Sequence, residues 1–145
     1  MLKEKRLKKD IQNLDKNDCK YEHSIEKGVD TFIFYIKGPL DSHYENQDFK
    51  IKLEIPNDYP FKSPSVGFLS KIYHPNVDYD SGSICLDVLN QKWAPIYDLV
   101  NIYTIFIPQL LMYPNADDPL NHDAAFSFNN NLTNFKLHVK DKYKY

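Results

Sequence analysis

Cys85 has the surroundings of a working thiol. It lies eleven residues after His74, in Tyr73-His74-Pro75-Asn76, and eight before the only tryptophan, Trp93. A nucleophilic cysteine needs partial exposure, electrostatic help for its thiolate and a donor for the developing oxyanion. The run YHPNVDYDSGSICLDVLNQKWAPIYDL offers a polar, Gly-containing loop before the cysteine, the Asn76 amide upstream, and carboxylates after it. Those residue types at that spacing make a candidate thiol active site. Cys19 has no such setting and reads as an incidental or buried thiol.

The elements that must position this loop are legible around it. Leu7, Ile11 and Leu14 recur at i, i+4 and i+7 among Lys3, Glu4, Lys5, Arg6, Lys8 and Lys9, which predicts an amphipathic helix with a basic outer face. Thr31 to Lys37 is dense in aromatic and β-branched residues and ends at Gly38-Pro39, a strand followed by a turn. Phe49, Ile51, Leu53 and Ile55 alternate with Lys50, Lys52 and Glu54 as a half-buried strand that Pro56 ends. A shorter strand is expected around Val66 and Phe68, and strands so spaced suggest an antiparallel meander. Beyond Trp93 the period becomes helical. Asp98 is a candidate N-cap for a helix that presents Leu99, Ile102, Ile105 and Phe106 on one face, with Pro108 as a kink. Asp118-Pro119 reads as a cap and first-turn proline of a helix through Ala124 and Ala125, and a last helix starts near Thr133. The class is α+β.

Bulk properties narrow the function. The 145 residues fit one domain, read as residues 1–145, large enough for a core without metal or disulfide support. A net charge of −2 gives no general attraction to nucleic acid. Two cysteines imply no disulfide framework, and a reduced compartment is the simpler reading. No apolar run approaches membrane-helix length, and the N-terminal residues are not a signal peptide. The sequence therefore reads as soluble and intracellular, cytoplasmic or nuclear. It carries no phosphate-cradling Gly loop and no metal-ligand spacing.

Taken together, the residues resemble the ubiquitin-conjugating enzyme family over essentially the whole length. The resemblance rests on Tyr59-Pro60-Phe61 with Pro64, His74-Pro75-Asn76, Cys85-Leu86-Asp87, Trp93 and Asp118-Pro119-Leu120, in the family's order and spacing. KSPSVGF, DSGSICLDVLNQKW, FIPQLL and DPLNHDAA are most similar to the H-type branch, known for histone ubiquitination and for the multisubunit CTLH/GID-type ligase. It implies the family's fold: an N-terminal helix, a four-stranded antiparallel meander, an active-site loop and C-terminal helices. Val77 to Gly82 is one residue longer than in many members, a length the H-type branch shares. H-type members usually carry an acidic C-terminal tail. This sequence stops at Lys142-Tyr143-Lys144-Tyr145, so no tail function is carried over.

The resemblance also implies roles. Cys85 takes the ubiquitin C-terminus as a thioester from an activating enzyme, which consumes the ATP, so no cofactor or metal is expected here. A thioester is already activated towards amines, so His74 is expected to orient the loop with Pro75, not to act as a base. Asn76 is a candidate oxyanion donor, an effect worth about 10²–10³ in rate for comparable donors, or a holder of the loop; the roles are compatible. Asp118 and Asp87 are candidate orienters of the incoming lysine, with an N-cap role the alternative for Asp118. Leu86 and Trp93 are expected to pack. Phe61, Pro95 and Ile96 form a docking site for activating enzyme and ligase, with Lys5, Arg6 and Lys9 as a basic rim; the alternatives are a core Phe61 and a merely solvated charge run. Partners are then ubiquitin, activating enzyme, ligase and protein substrates including histones, with no nucleic acid or membrane. Two other readings stand beside this one: a non-catalytic module of the same fold, and conjugation of a different ubiquitin-like modifier.

Overall fold

The computed structural model describes residues 2–84 and 91–145. Helix α1 (Leu2–Lys16) leads into four strands, β1 (Tyr21–Glu26), β2 (Val29–Lys37), β3 (Asp48–Glu54) and β4 (Ser65–Phe68). They form one antiparallel meander in the order β1-β2-β3-β4. Register follows the apolar alternation. Phe32, Phe34 and Ile36 of β2 face Leu53, Ile51 and Phe49 of β3, and Leu53 and Ile51 in turn face Val66 and Phe68 of β4. All eight side chains are buried in a single cluster with Leu7 and Leu14 of α1. Each large side chain so buried contributes roughly 1.5–3 kcal/mol.

Two elements differ from the sequence pattern. Strand β1 is exposed along almost its whole length, so it carries no alternation to read; pairing with β2 holds it. The helix capped by Asp98 is not continuous α-helix. A short α2 (Leu99–Asn101) passes into a π-helical turn (Ile102–Phe106) and then α3 (Ile107–Met112). The Asp98 carboxylate accepts from the Asn101 N–H, and the Asn101 side chain accepts from the Asp98 N–H, a reciprocal capping box. The wider turn, just before the donor-less Pro108, advances the inward face. Ile107 and Leu111 follow Leu99 and Ile102 into the core, whereas Ile105, expected inside, is 41% exposed.

A second correction concerns α4 (His122–Asn130). Its N-cap is Asn121, whose side chain accepts from the Ala124 N–H, and not Asp118. The Leu120 and Asn121 N–H groups both donate to the Pro75 carbonyl, at 2.8 and 3.0 Å. That draws residues 118–121 across the His-Pro-Asn segment before the helix can begin. Asn131 caps α5 (Leu132–Lys142), which buries Phe135 and Val139. Beyond it, Lys144 pairs with Lys71 through two backbone hydrogen bonds.

The segment before Cys85 is bound to the free side of β4. Gly82 O accepts from the Phe68 N–H at 2.7 Å, Gly67 bridges Ser83, and Val77 bridges Ile84. Gly82 has φ +78°, and a Cβ there would lie 1.9 Å from the Phe68 carbonyl oxygen. Both the backbone conformation and the close approach require glycine. Gly82→Ala is therefore expected to cost at least about 2 kcal/mol, a melting-temperature drop of roughly 4–8 °C at this size, measured by calorimetry against wild type.

Candidate active site

Cys85, Leu86 and Asp87 lie outside the described residues, so the site is built from what flanks them. Ile84, the residue before Cys85, is held by its bridge to Val77. The loop between is internally braced: Asp78 accepts from both the N–H and the hydroxyl of Ser81, and the Lys71 ammonium donates to the carbonyls of Tyr79 and Asp80.

His74 is fully buried, stacked on the Tyr44 ring at 5.3 Å between centroids. Its Nδ1 accepts from the Asn76 N–H, so Nε2 carries the proton, and it donates to Leu110 O at 2.8 Å. Burial lowers its pKa to about 4, against a partial offset from the Leu110 carbonyl. The neutral imidazole thus has both nitrogens engaged, one on the Asn76 N–H and the other on the Leu110 carbonyl.

Asn76 is 2% exposed, and both ends of its amide are engaged by one residue. Nδ2 donates to Asn115 O at 2.7 Å and Oδ1 accepts from the Asn115 N–H at 2.8 Å. This ties the cysteine loop to the segment leading to Asp118. Asn115 was not singled out in the sequence; its backbone is the partner, and side-chain patterns do not reveal backbone partners. Its own side chain accepts from the Asp117 N–H, a local turn that leaves Asp117 and Asp118 exposed. Asn76, Ile84, Leu110, Tyr113 and Asn115 line a cavity of about 260 Å³ beside this junction.

Trp93 is packed among aromatic rings. Its indole N–H donates to Pro60 O at 2.8 Å, and its ring lies against Tyr59 and Tyr97. Phe61 and Ile96 are 65% and 82% exposed, and Pro95 is exposed beside Ile96. The basic residues divide. Lys5 and Lys9 are exposed, but Arg6 is not a simple rim charge, because its guanidinium donates to Pro95 O, Tyr97 O and Asp10. Among the described residues no group of three His, Cys, Asp or Glu could hold a metal, and no helix is long and apolar enough to cross a membrane.

The His74 geometry predicts a pH dependence. The folded-state pKa lies below the usual 6.5, so the unfolded chain binds the extra proton between about 6.5 and about 4. This contribution to stability is complete above pH 6.5 and is lost as pH falls towards 4, with a slope up to about 1.4 kcal/mol per pH unit. Histidine NMR should show the Nε2–H tautomer persisting at pH 5. An imidazolium there in the folded protein contradicts the assignment.

Comparison with known proteins agrees with this architecture. The ubiquitin-conjugating enzyme family model matches residues 6–143. The chain is 50% identical over 137 residues to ubiquitin-conjugating enzyme E2 5 of Arabidopsis thaliana, covering 94% of this chain and 74% of that one. It is 51% identical over 121 residues to ubiquitin-conjugating enzyme E2-23 kDa of Triticum aestivum, covering 83% and 65%. The E2 domain of a Toxoplasma gondii ubiquitin conjugating enzyme superposes with a TM-score of 0.81 at 27% identity, over 99% of both chains. With its helix, meander and C-terminal helices, and a match spanning nearly its full length, the chain belongs to the ubiquitin-conjugating enzyme family, transferases that act through a cysteine thioester.

Proposed function

We propose that Cys85 is the acceptor: its thiolate takes the ubiquitin C-terminus from the activating enzyme, releasing that enzyme's thiol, and passes it to a substrate lysine. The observation that supports this most directly is the Val77–Ile84 bridge. It fixes the chain immediately before Cys85 beside Asn76 and beside the segment anchored on Pro75.

In the second step the lysine amine attacks the thioester carbonyl, the C–N bond forms, and the C–S bond breaks as thiolate leaves. Asn76 acts first as a positioning residue, joining the two walls of the site through Asn115. Its Nδ2 has two hydrogens and one is on Asn115 O, which leaves the other for a developing oxyanion. Asp118, exposed on the tethered segment, is suited to orient the lysine and draw off its proton, and Asp87 is the second candidate. ATP is consumed by the activating enzyme. The H-type motifs favour a CTLH/GID-type ligase and histone substrates.

The deciding assay incubates the protein with activating enzyme, ATP and ubiquitin. Wild type should form a reductant-sensitive adduct, Cys85→Ser a reductant-resistant oxyester because an alkoxide is the poorer leaving group, and Cys85→Ala none. A thiol-sensitive adduct persisting in Cys85→Ala removes Cys85 as the acceptor and turns attention to Cys19, whose thiol burial pushes its pKa up. No adduct with ubiquitin but one with another modifier favours the alternative conjugation reading.

Activating enzyme and ligase are proposed to share the surface around Phe61 and Ile96, with Lys5 and Lys9 as rim. Exposed apolar side chains on braced loops suit an interface with few dominant anchors. Phe61→Ala should reduce ligase-stimulated discharge by about tenfold or more while leaving discharge of the loaded enzyme to free lysine, and the melting temperature, close to wild type. Parallel loss of intrinsic discharge would move the ligase site elsewhere.

A further inference from the structure

Asp10 lies on the otherwise amphipathic α1, yet it is fully buried. One oxygen accepts from Arg6 Nε at 3.3 Å and the other from the Tyr59 hydroxyl. From each partner the hydrogen bonding continues. Arg6 Nη1 donates to Pro95 O at 2.7 Å, and Nη2 donates to Tyr97 O. On the other side, Tyr59 leads directly to Pro60, whose carbonyl accepts the Trp93 indole N–H at 2.8 Å. Trp93 then leads back through Ala94 to Pro95. The result is a closed ring through three segments: α1, residues 59–60 and residues 93–97.

The two most exposed apolar side chains of the proposed docking surface both sit on this ring. Phe61 follows Pro60, whose carbonyl is held; Ile96 lies between Pro95 and Tyr97, whose carbonyls are both held by one guanidinium. A bidentate grip by Arg has a fixed fork geometry, so it sets orientation as well as distance. Arg6 is half-buried, and what holds its fork in place is the carboxylate four residues along the same helix. Burial raises the Asp10 pKa while Tyr59 and Arg6 pull it back, as expected for a carboxylate kept in the interior for its two donors.

Resting on the docking surface argued above, we propose that Asp10 is a positioning residue for partner binding: through Arg6 and Tyr59 it fixes the separation and orientation of Phe61 and Ile96, so that the docking surface is formed before a partner arrives. Preorganisation of this kind removes an ordering cost from binding and leaves the thioester chemistry untouched.

Asp10→Asn keeps the shape but removes the charge that holds the Arg6 fork, and with its one oxygen on Arg6 it must reverse the Tyr59 bond by presenting an N–H to the hydroxyl. Tyr59→Phe removes one hydroxyl and opens the ring at a defined bond. Loading rates are measured with activating enzyme, ATP and ubiquitin across concentrations of each variant. Discharge of preloaded protein to free lysine, thermal melting and the fluorescence of the single tryptophan are read alongside. The expected result for Asp10→Asn is a KM raised about tenfold, with kcat and intrinsic discharge within about twofold of wild type and a shifted Trp93 emission. Tyr59→Phe should move the same quantities in the same direction. Unchanged KM in folded variants overturns the proposal. So does a parallel fall in kcat, discharge and melting temperature, which assigns Asp10 to fold stability alone. If Asp10→Asn does not fold, Tyr59→Phe decides by itself on the same criteria. Wild type that takes no ubiquitin sinks the functional reading, and this proposal with it, a result distinct from any variant effect.

Discussion

The amide of Asn76, buried and gripped at both ends by the backbone of Asn115, is the contact on which the site depends. In the chain, residue 76 lies before the helical segment that begins at Leu99 and residue 115 lies after it ends at Met112. An amide out of water must satisfy its donor and acceptor or lose stability. Here the requirement is met by the N–H and C=O of a single residue, so two distant stretches share one register. The carbonyl of Pro75 repeats the device one residue earlier by accepting two N–H groups from 120 and 121. The loop, residues 115–121 and α4 are thereby referenced to the same tripeptide.

Chemistry and recognition are built differently. At Asn76 and Pro75 the bracing is backbone-to-backbone or amide-to-backbone, with His74 held neutral by its burial. Around Phe61 and Ile96 it depends on a charged pair and an aromatic hydroxyl. The first suits the proposed acceptor Cys85, whose electrophile would arrive already activated and need a fixed frame more than a tuned proton. The second suits the proposed docking surface, which is to be rigid enough to discriminate partners while remaining on loops.

Legibility in the sequence followed the same division. Strands β2 to β4 were readable because their alternation is the direct imprint of a one-sided core. The segment from His74 to Ile84 stood out because its residue types are chemical, while Cys85, Leu86 and Asp87 lie outside the described residues. Strand β1 was not readable, since an edge strand with little buried surface has no alternation to show. Asp10 was not, because a carboxylate four residues after an arginine looks like an ordinary surface pair. Two residues in Asp118-Pro119-Leu120-Asn121 could cap a helix, and local propensity favoured the first. The Pro75 carbonyl decided for the second, a tertiary contact with no trace in the local sequence. The π-helical turn was half legible: Pro108 announced an irregularity without saying that the helix would widen instead of kink.

The pairing of Lys144 with Lys71 has a consequence for the sheet as a whole. Strand β4 would otherwise present unpaired backbone groups, the kind of border along which strands of neighbouring molecules add. Gly82 and Ser83 cover its last two residues, Phe68 and Gly67, and Lys144 continues the cover past its end at Lys71. The remaining border is β1, where Glu22, His23 and Glu26 lie exposed along the strand. Charge on a border strand makes stacking by a second copy unfavourable. One border of the meander is thus covered in part by the chain itself and the other is lined with charge, two different devices against strand addition on the same sheet.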